Sequence, residues 1–312
     1  MKSYIFLSSC IVTIIFYTPI QAQYYRDRTK FIHLDNSYPA NDFQVFDMYP
    51  EEGKYSLTLH EVFNEPEIMV DFNDNKYPLV FDFGNRGNLV ITTALNDSVK
   101  YSITDTVNTY THDGKIIGQV LNIDIASFIL FGQTFQNEKA TMMDWSMTSS
   151  ASYNGLVGLN YLKGKCFTLS YQKKEIAIST KTIIPRLPAD SYCSIPLETY
   201  NYHPYGVHFR GSVNGRDAII YFDTGRSITQ INRNLVLSNR IVSDKSGDYY
   251  EGTVNIVFGT LSFDIYFPRI SEPRLIKESN LPVGIQVGSD ILRYLLITID
   301  RTNNQNLLII HK

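Results

Sequence analysis

Cysteine and tryptophan are nearly missing, with 3 Cys and 1 Trp in 312 residues. Cys10 falls in the N-terminal leader described below, so only Cys166 and Cys193 remain, too few for a disulfide framework or a four-ligand zinc site. One bridge between them is compatible with an oxidising compartment; Cys166, which follows an apolar run, reads equally well as a small buried hydrophobe. A surplus of either charge is also missing. With 28 Lys+Arg against 31 Asp+Glu the net charge is −3, and no basic stripe offers itself to a nucleic-acid backbone. Past the leader, no apolar run approaches the ~20 residues that a membrane-spanning helix needs, so no span is expected in the mature chain. Gly-x-Ser-x-Gly, Walker and dinucleotide-binding patterns are lacking. The closest pair of histidines, His203 and His208, has no zinc-ligand spacing, and neither a metal nor another cofactor is expected.

Aromatic and β-branched side chains are abundant. The 22 Tyr and 18 Phe, among many Val, Ile and Thr, are sheet-forming material, and the length points to more than one folded unit. The first 22 residues, MKSYIFLSSCIVTIIFYTPIQA, carry Lys2, an apolar stretch from Tyr4 to Tyr17, the helix breaker Pro19 and the small Ala22. This is the layout of a secretory signal peptide, and it predicts an exported protein, periplasmic or secreted. Residues 23–49 have no clear pattern and are read as an extension that wraps the fold or adds a strand to it.

An internal repeat is the strongest feature. Glu67 to Thr93 and Gly206 to Asn232 each begin with a short alternating strand. Each then passes a polar turn (Asn73-Asp74-Asn75 or Asn214-Gly215) and runs through an apolar strand into Asp-x-Gly. The two aspartates, Asp82 and Asp223, stand 141 positions apart. Later segments repeat as well: placing Gly158 on Gly288 brings Leu162 onto Leu292, Thr168 onto Thr298 and Ser170 onto Asp300 without a gap. Period-2 alternation in Ile68–Phe72, Phe167–Tyr171 and Val207–Val213 predicts half-buried strands. Helical signal is confined to Gly158–Lys163, Ser289–Leu295 and Ile231–Ser238, and the proline-rich stretch 180–204 reads as a connector.

A carboxylate at a turn just past an apolar strand can be brought against its repeat mate. Two carboxyls held that close cannot both ionise readily, so they share a proton. The ionised member can then act as general base on a water while the protonated one polarises a carbonyl. Glycine after Asp-x admits a close approach that a Cβ would block.

These residues resemble the aspartic peptidases of the pepsin and retropepsin type. Ile219-Ile220-Tyr221-Phe222-Asp223-Thr224-Gly225 looks like the family's apolar strand and Asp-Thr-Gly, with Leu79-Val80-Phe81-Asp82-Phe83-Gly84 in the same place in the first copy. Asn154-Gly155-Leu156-Val157-Gly158-Leu159 resembles the later apolar strand that threads beside the catalytic loop, and Val283 to Gly288 is a looser second version. The resemblance spans roughly Glu67 to Ile310 and is similar to the duplicated, bilobal retropepsin-like proteins.

What the resemblance implies is an all-β protein of two homologous acid-protease-like β-barrel lobes with an interlobe cleft, lobe 1 at 50–184 and lobe 2, with the connector, at 185–312. Its activity would be hydrolysis of polypeptides as a monomer, by a water activated between Asp82 and Asp223. Gly84, Gly225, Thr224 and Asn85 would support the two loops. A flap hairpin is expected at Tyr101–Gln119, turning at Asp113-Gly114, with Tyr110 facing substrate. Two residues depart from the family pattern. Phe83 cannot make the hydroxyl hydrogen bonds that Thr224 can, and Arg226 replaces a small residue where a guanidinium would oppose proton sharing. The rival expectation is a catalytically impaired relative that holds a peptide or glycan in the cleft.

Overall fold

The computed structural model describes residues 32–33, 42–87, 89–110, 116–144, 153–244, 247–272, 274–276 and 278–311. The leader 1–22 and the Asp113-Gly114 turn lie outside the described residues. The protein is all-β. Among the described residues the strands form sheets of 12, 8 and 6 strands, and helix is limited to short turns such as Ser289–Leu292.

The repeat is carried into the pairing. Strand Pro66–Phe72 turns into Asn75–Phe81 through Asn73 and Asp74, both at positive φ, and His203–Val213 turns into Arg216–Phe222 through Asn214 and Gly215, also both at positive φ. Two-residue turns of this kind match the twist of an antiparallel pair. In the first copy Asn75–Phe81 runs parallel to Gly155–Val157, which pairs antiparallel with Leu89–Thr92. In the second, Arg216–Phe222 runs parallel to Pro282–Val287, which pairs antiparallel with Gln230–Asn232. Leu89–Thr92 and Gln230–Asn232 each then take a further parallel neighbour, Gln133–Met143 and Arg269–Ser271. The 8-stranded sheet curls on itself where Asp71 meets Ile129.

The six-stranded sheet joins the copies. Cys166–Ser170 and Ile297–Asp300 are antiparallel neighbours in it, with Phe167 opposite Ile299, Thr168 opposite Thr298 and Leu169 opposite Ile297. The Thr168 and Thr298 hydroxyls lie 2.5 Å apart, and the Tyr49 hydroxyl bonds Thr168 at 2.7 Å.

Several local expectations are corrected. Phe167–Tyr171 is buried at every position, because the six-stranded sheet is covered on both faces and alternation no longer separates core from solvent. Ile231 belongs to a strand, and only the single 3-10 turns Arg233–Leu235 and Ser238–Arg240 follow it. The connector is structured: Tyr192–Pro196 pairs with Leu307–His311 and Glu198–Tyr200 with His203–Val213. In the extension, Ile32–His33 adds an edge strand beside Leu261–Tyr266. Cys166 and Cys193 are both free and buried, the small-hydrophobe alternative.

Candidate active site

Asp82 and Asp223 each stand one residue past a strand whose closing residues, ending in Phe81 and Phe222, are buried without interruption. Successive side chains of a strand point to opposite faces. Matching backbone bonds hold the two loops. Asp82 N–H donates to Val157 O and Asp223 N–H to Val287 O, both at 2.9 Å; Asn85 N–H donates to Asp82 O and Arg226 N–H to Asp223 O, both at 3.2 Å.

The glycines show how closely the loops approach. A Cβ on Gly84 would fall 2.5 Å from Asp223 Oδ1, and one on Gly225 would fall 2.2 Å from Asp82 Cγ. Each glycine is therefore the floor under the opposite carboxyl, which sets the two carboxyls close together. No family model and no curated protein matches this chain.

The surroundings divide the pair. Burial, followed by the charge of Asp223 and the hydrogen bond to it, raises Asp82 well above the ordinary carboxylate range; the Gly84 N–H at 2.6 Å from Asp82 Oδ1 acts in the other direction. Asp223 Oδ2 receives the Gln286 amide and has Arg226 Nε at 3.7 Å. A third acid sits beside them. Glu65 is buried, takes the Tyr153 hydroxyl at 2.9 Å, and is pushed up to about 8 chiefly by burial, with the charge of Asp223 adding to it.

Bracing of the loops is one-sided. Thr224 Oγ1 accepts from Phe83 N–H at 3.0 Å and donates to Phe81 O at 2.5 Å, so this one hydroxyl ties the second loop to the first. Phe83 sits in the mirror position but points into the core, edge-on to Phe81 and Phe167. Other groups support the joint: Tyr221 OH donates to Phe83 O at 3.4 Å and Ser289 Oγ to Thr224 O at 2.8 Å.

Asp82, Asp223, Gly84, Gly225 and Thr224 are thus brought together. Asn85 Oδ1 accepts from Gly87 N–H at 3.0 Å and closes its own loop. Arg226 points inward, the orientation that sequence could not fix. The hairpin at Tyr101–Tyr110 and Ile116–Leu130 is formed, and Tyr110 lies on its strand; its side chain is outside the described residues. No expectation covered Glu65, Tyr153 or Gln286. The one available signal was Gln286 itself, an amide inside an otherwise apolar run.

Proposed function

We infer that the protein is an exported aspartic endopeptidase of the pepsin and retropepsin type, with lobes at 50–184 and 185–312 and its site in the cleft between them. The crosswise approach of Gly84 to Asp223 and Gly225 to Asp82 carries this reading, because it is what two copies of one carboxylate loop require in order to share a proton. The register through Thr168 and Thr298 supports the bilobal arrangement. Residues that the repeat equates face each other there, as a two-fold relation produces.

In the reaction, Asp223 accepts a proton from a water held between the carboxyls while protonated Asp82 donates a hydrogen bond to the peptide carbonyl. The water oxygen bonds to the carbonyl carbon and the C=O electrons move to oxygen. Collapse then expels the amine, which takes up a proton from the pair.

Arg226 beside Asp223 favours a second reading, in which the cleft binds a peptide or glycan without cleaving it. Digestion of an unstructured peptide library at about pH 3 to 7 separates the two. Cleavage by the mature protein that is abolished in both Asp82→Asn and Asp223→Asn is the expected result. Absence of cleavage throughout that range would leave only the binding reading.

A further inference from the structure

Beside the loop that carries Asp82 lies a group of nitrogens that hydrolysis leaves unused. His203 and His208 are 2% and 1% exposed, yet among the described residues both ring nitrogens of His203 and Nδ1 of His208 make no hydrogen bond of ordinary geometry, the Asn85 and Gly206 backbones acting on the rings only as minor influences. Their Nδ1 atoms converge. A Cβ on Gly206 would lie 2.5 Å from one and 2.6 Å from the other.

Two guanidiniums flank the rings. Arg301 Nη2 donates to Tyr205 O at 2.7 Å, but its Nη1 is buried without a partner. Arg86, four residues after Asp82, lies over the Tyr202 ring at 4.5 Å, and Tyr202 OH shares a 2.9 Å hydrogen bond with His208 Nε2. Both arginines are partly exposed, whereas the histidines are buried, and burial together with the arginine charges pushes both imidazoles down to about 3. Glu198, cross-strand from His208, is engaged by Arg210 and the Tyr200 hydroxyl.

Buried ring nitrogens and the buried Arg301 Nη1 without partners, beside two guanidiniums that meet no carboxylate among the described residues, are costly unless an acceptor arrives. A metal ion would be repelled by the same guanidiniums, whereas a carboxylate would satisfy both the charge and the donors. We propose that Arg86, His203, His208 and Arg301 form a carboxylate-binding subsite beside the Asp82 loop, so that the preferred substrate is a peptide with an acidic side chain or free C-terminus near the cleaved bond. The substrate half rests on the endopeptidase reading; the subsite half does not. Tyr221 links the two places. It stacks on His208 at 4.3 Å and bonds Phe83 O.

The test uses imidazole-selective isotope labelling of the 6 histidines and titration with sodium acetate against sodium chloride of equal ionic strength. The His203 and His208 signals, assigned with His203→Gln and His208→Gln, should shift saturably with acetate alone. In Arg86→Gln the apparent affinity should fall about tenfold. An N-acetyl peptide acid should reproduce the shift and its amide should not. Shifts that do not saturate, or that survive Arg86→Gln unchanged, overturn the subsite. Library cleavage with no preference for acidic peptides overturns the substrate half. Saturable shifts in a protein that cleaves nothing support the subsite and count only against the endopeptidase reading.

Discussion

Two carboxyls with the same place in a repeat become chemically different through side chains that the repeat does not share. Asp82 has Gly84 N–H at 2.6 Å and is raised by burial and by its partner, while Asp223 has the Gln286 amide and Arg226 on one oxygen. The guanidinium brings a positive charge to within 3.7 Å of one carboxyl of the pair and not through any residue the repeat shares. If the pair cleaves peptides as proposed, Arg226→Ser, which removes that charge, should change the pH profile of cleavage measured as kcat/KM. An unmoved profile would mean that solvent already screens Arg226 from the pair. The two Asp-x-Gly motifs are legible in sequence because each is local. Gln286 and Glu65 are not, because their proximity to the aspartates is made by strand pairing: Gln286 reaches Asp223 across 63 positions of chain.

At the scale of elements, the loops depend on the strands that deliver them, and the two copies no longer contribute alike. Thr224 is the only loop residue whose hydroxyl crosses to the other copy among the described residues, and it serves both Phe83 N–H and Phe81 O. Thr224→Val keeps the shape and strands both backbone groups in a buried setting, so it should cost roughly 2–4 kcal/mol in urea unfolding. Thr224→Ser should recover most of that. The opposite repair, Phe83→Thr, should not improve the protein even though it supplies the hydroxyl that Thr224 has in the other copy. Phe83 is fully buried between Phe81 and Phe167, and removing such a ring costs about 3–5 kcal/mol. Sequence identified Phe83 as a lost hydroxyl but could not show that the ring had become core. The turns at 73–74 and 214–215 were legible for the opposite reason, since their conformation is set by the residues themselves.

Across the whole molecule, buried imidazoles and buried carboxyls pull the pH dependence of folding in opposite directions. His203 and His208 are held near 3 and His311 near 4, chiefly by burial, against about 6.5 in an unfolded chain. Unfolding takes up protons at these sites, so their contribution rises with pH from about 3 to 6.5. Glu65 and Asp290 are raised to about 8 and about 6, and Asp82 is raised too, again chiefly by burial. The folded chain keeps protons at these carboxyls that the unfolded chain releases above ~4, so their contribution is full below that value and is lost as pH rises toward 8. The two trends offset each other between ~4 and ~6.5, leaving the imidazoles to dominate below and the carboxyls above. Thermal midpoints should accordingly be highest in mild acid, near pH ~5–6, and fall toward both pH ~3 and pH ~8. Glu65→Gln separates the contributions, because it removes the one carboxyl that titrates near 8 in this set and should flatten the alkaline side while leaving the acid side intact. A midpoint that climbed steadily from about pH 5 to 8 would contradict the burial of these carboxyls as neutral acids. It would also remove the physical basis for Asp82 as the proton-bearing member of the pair.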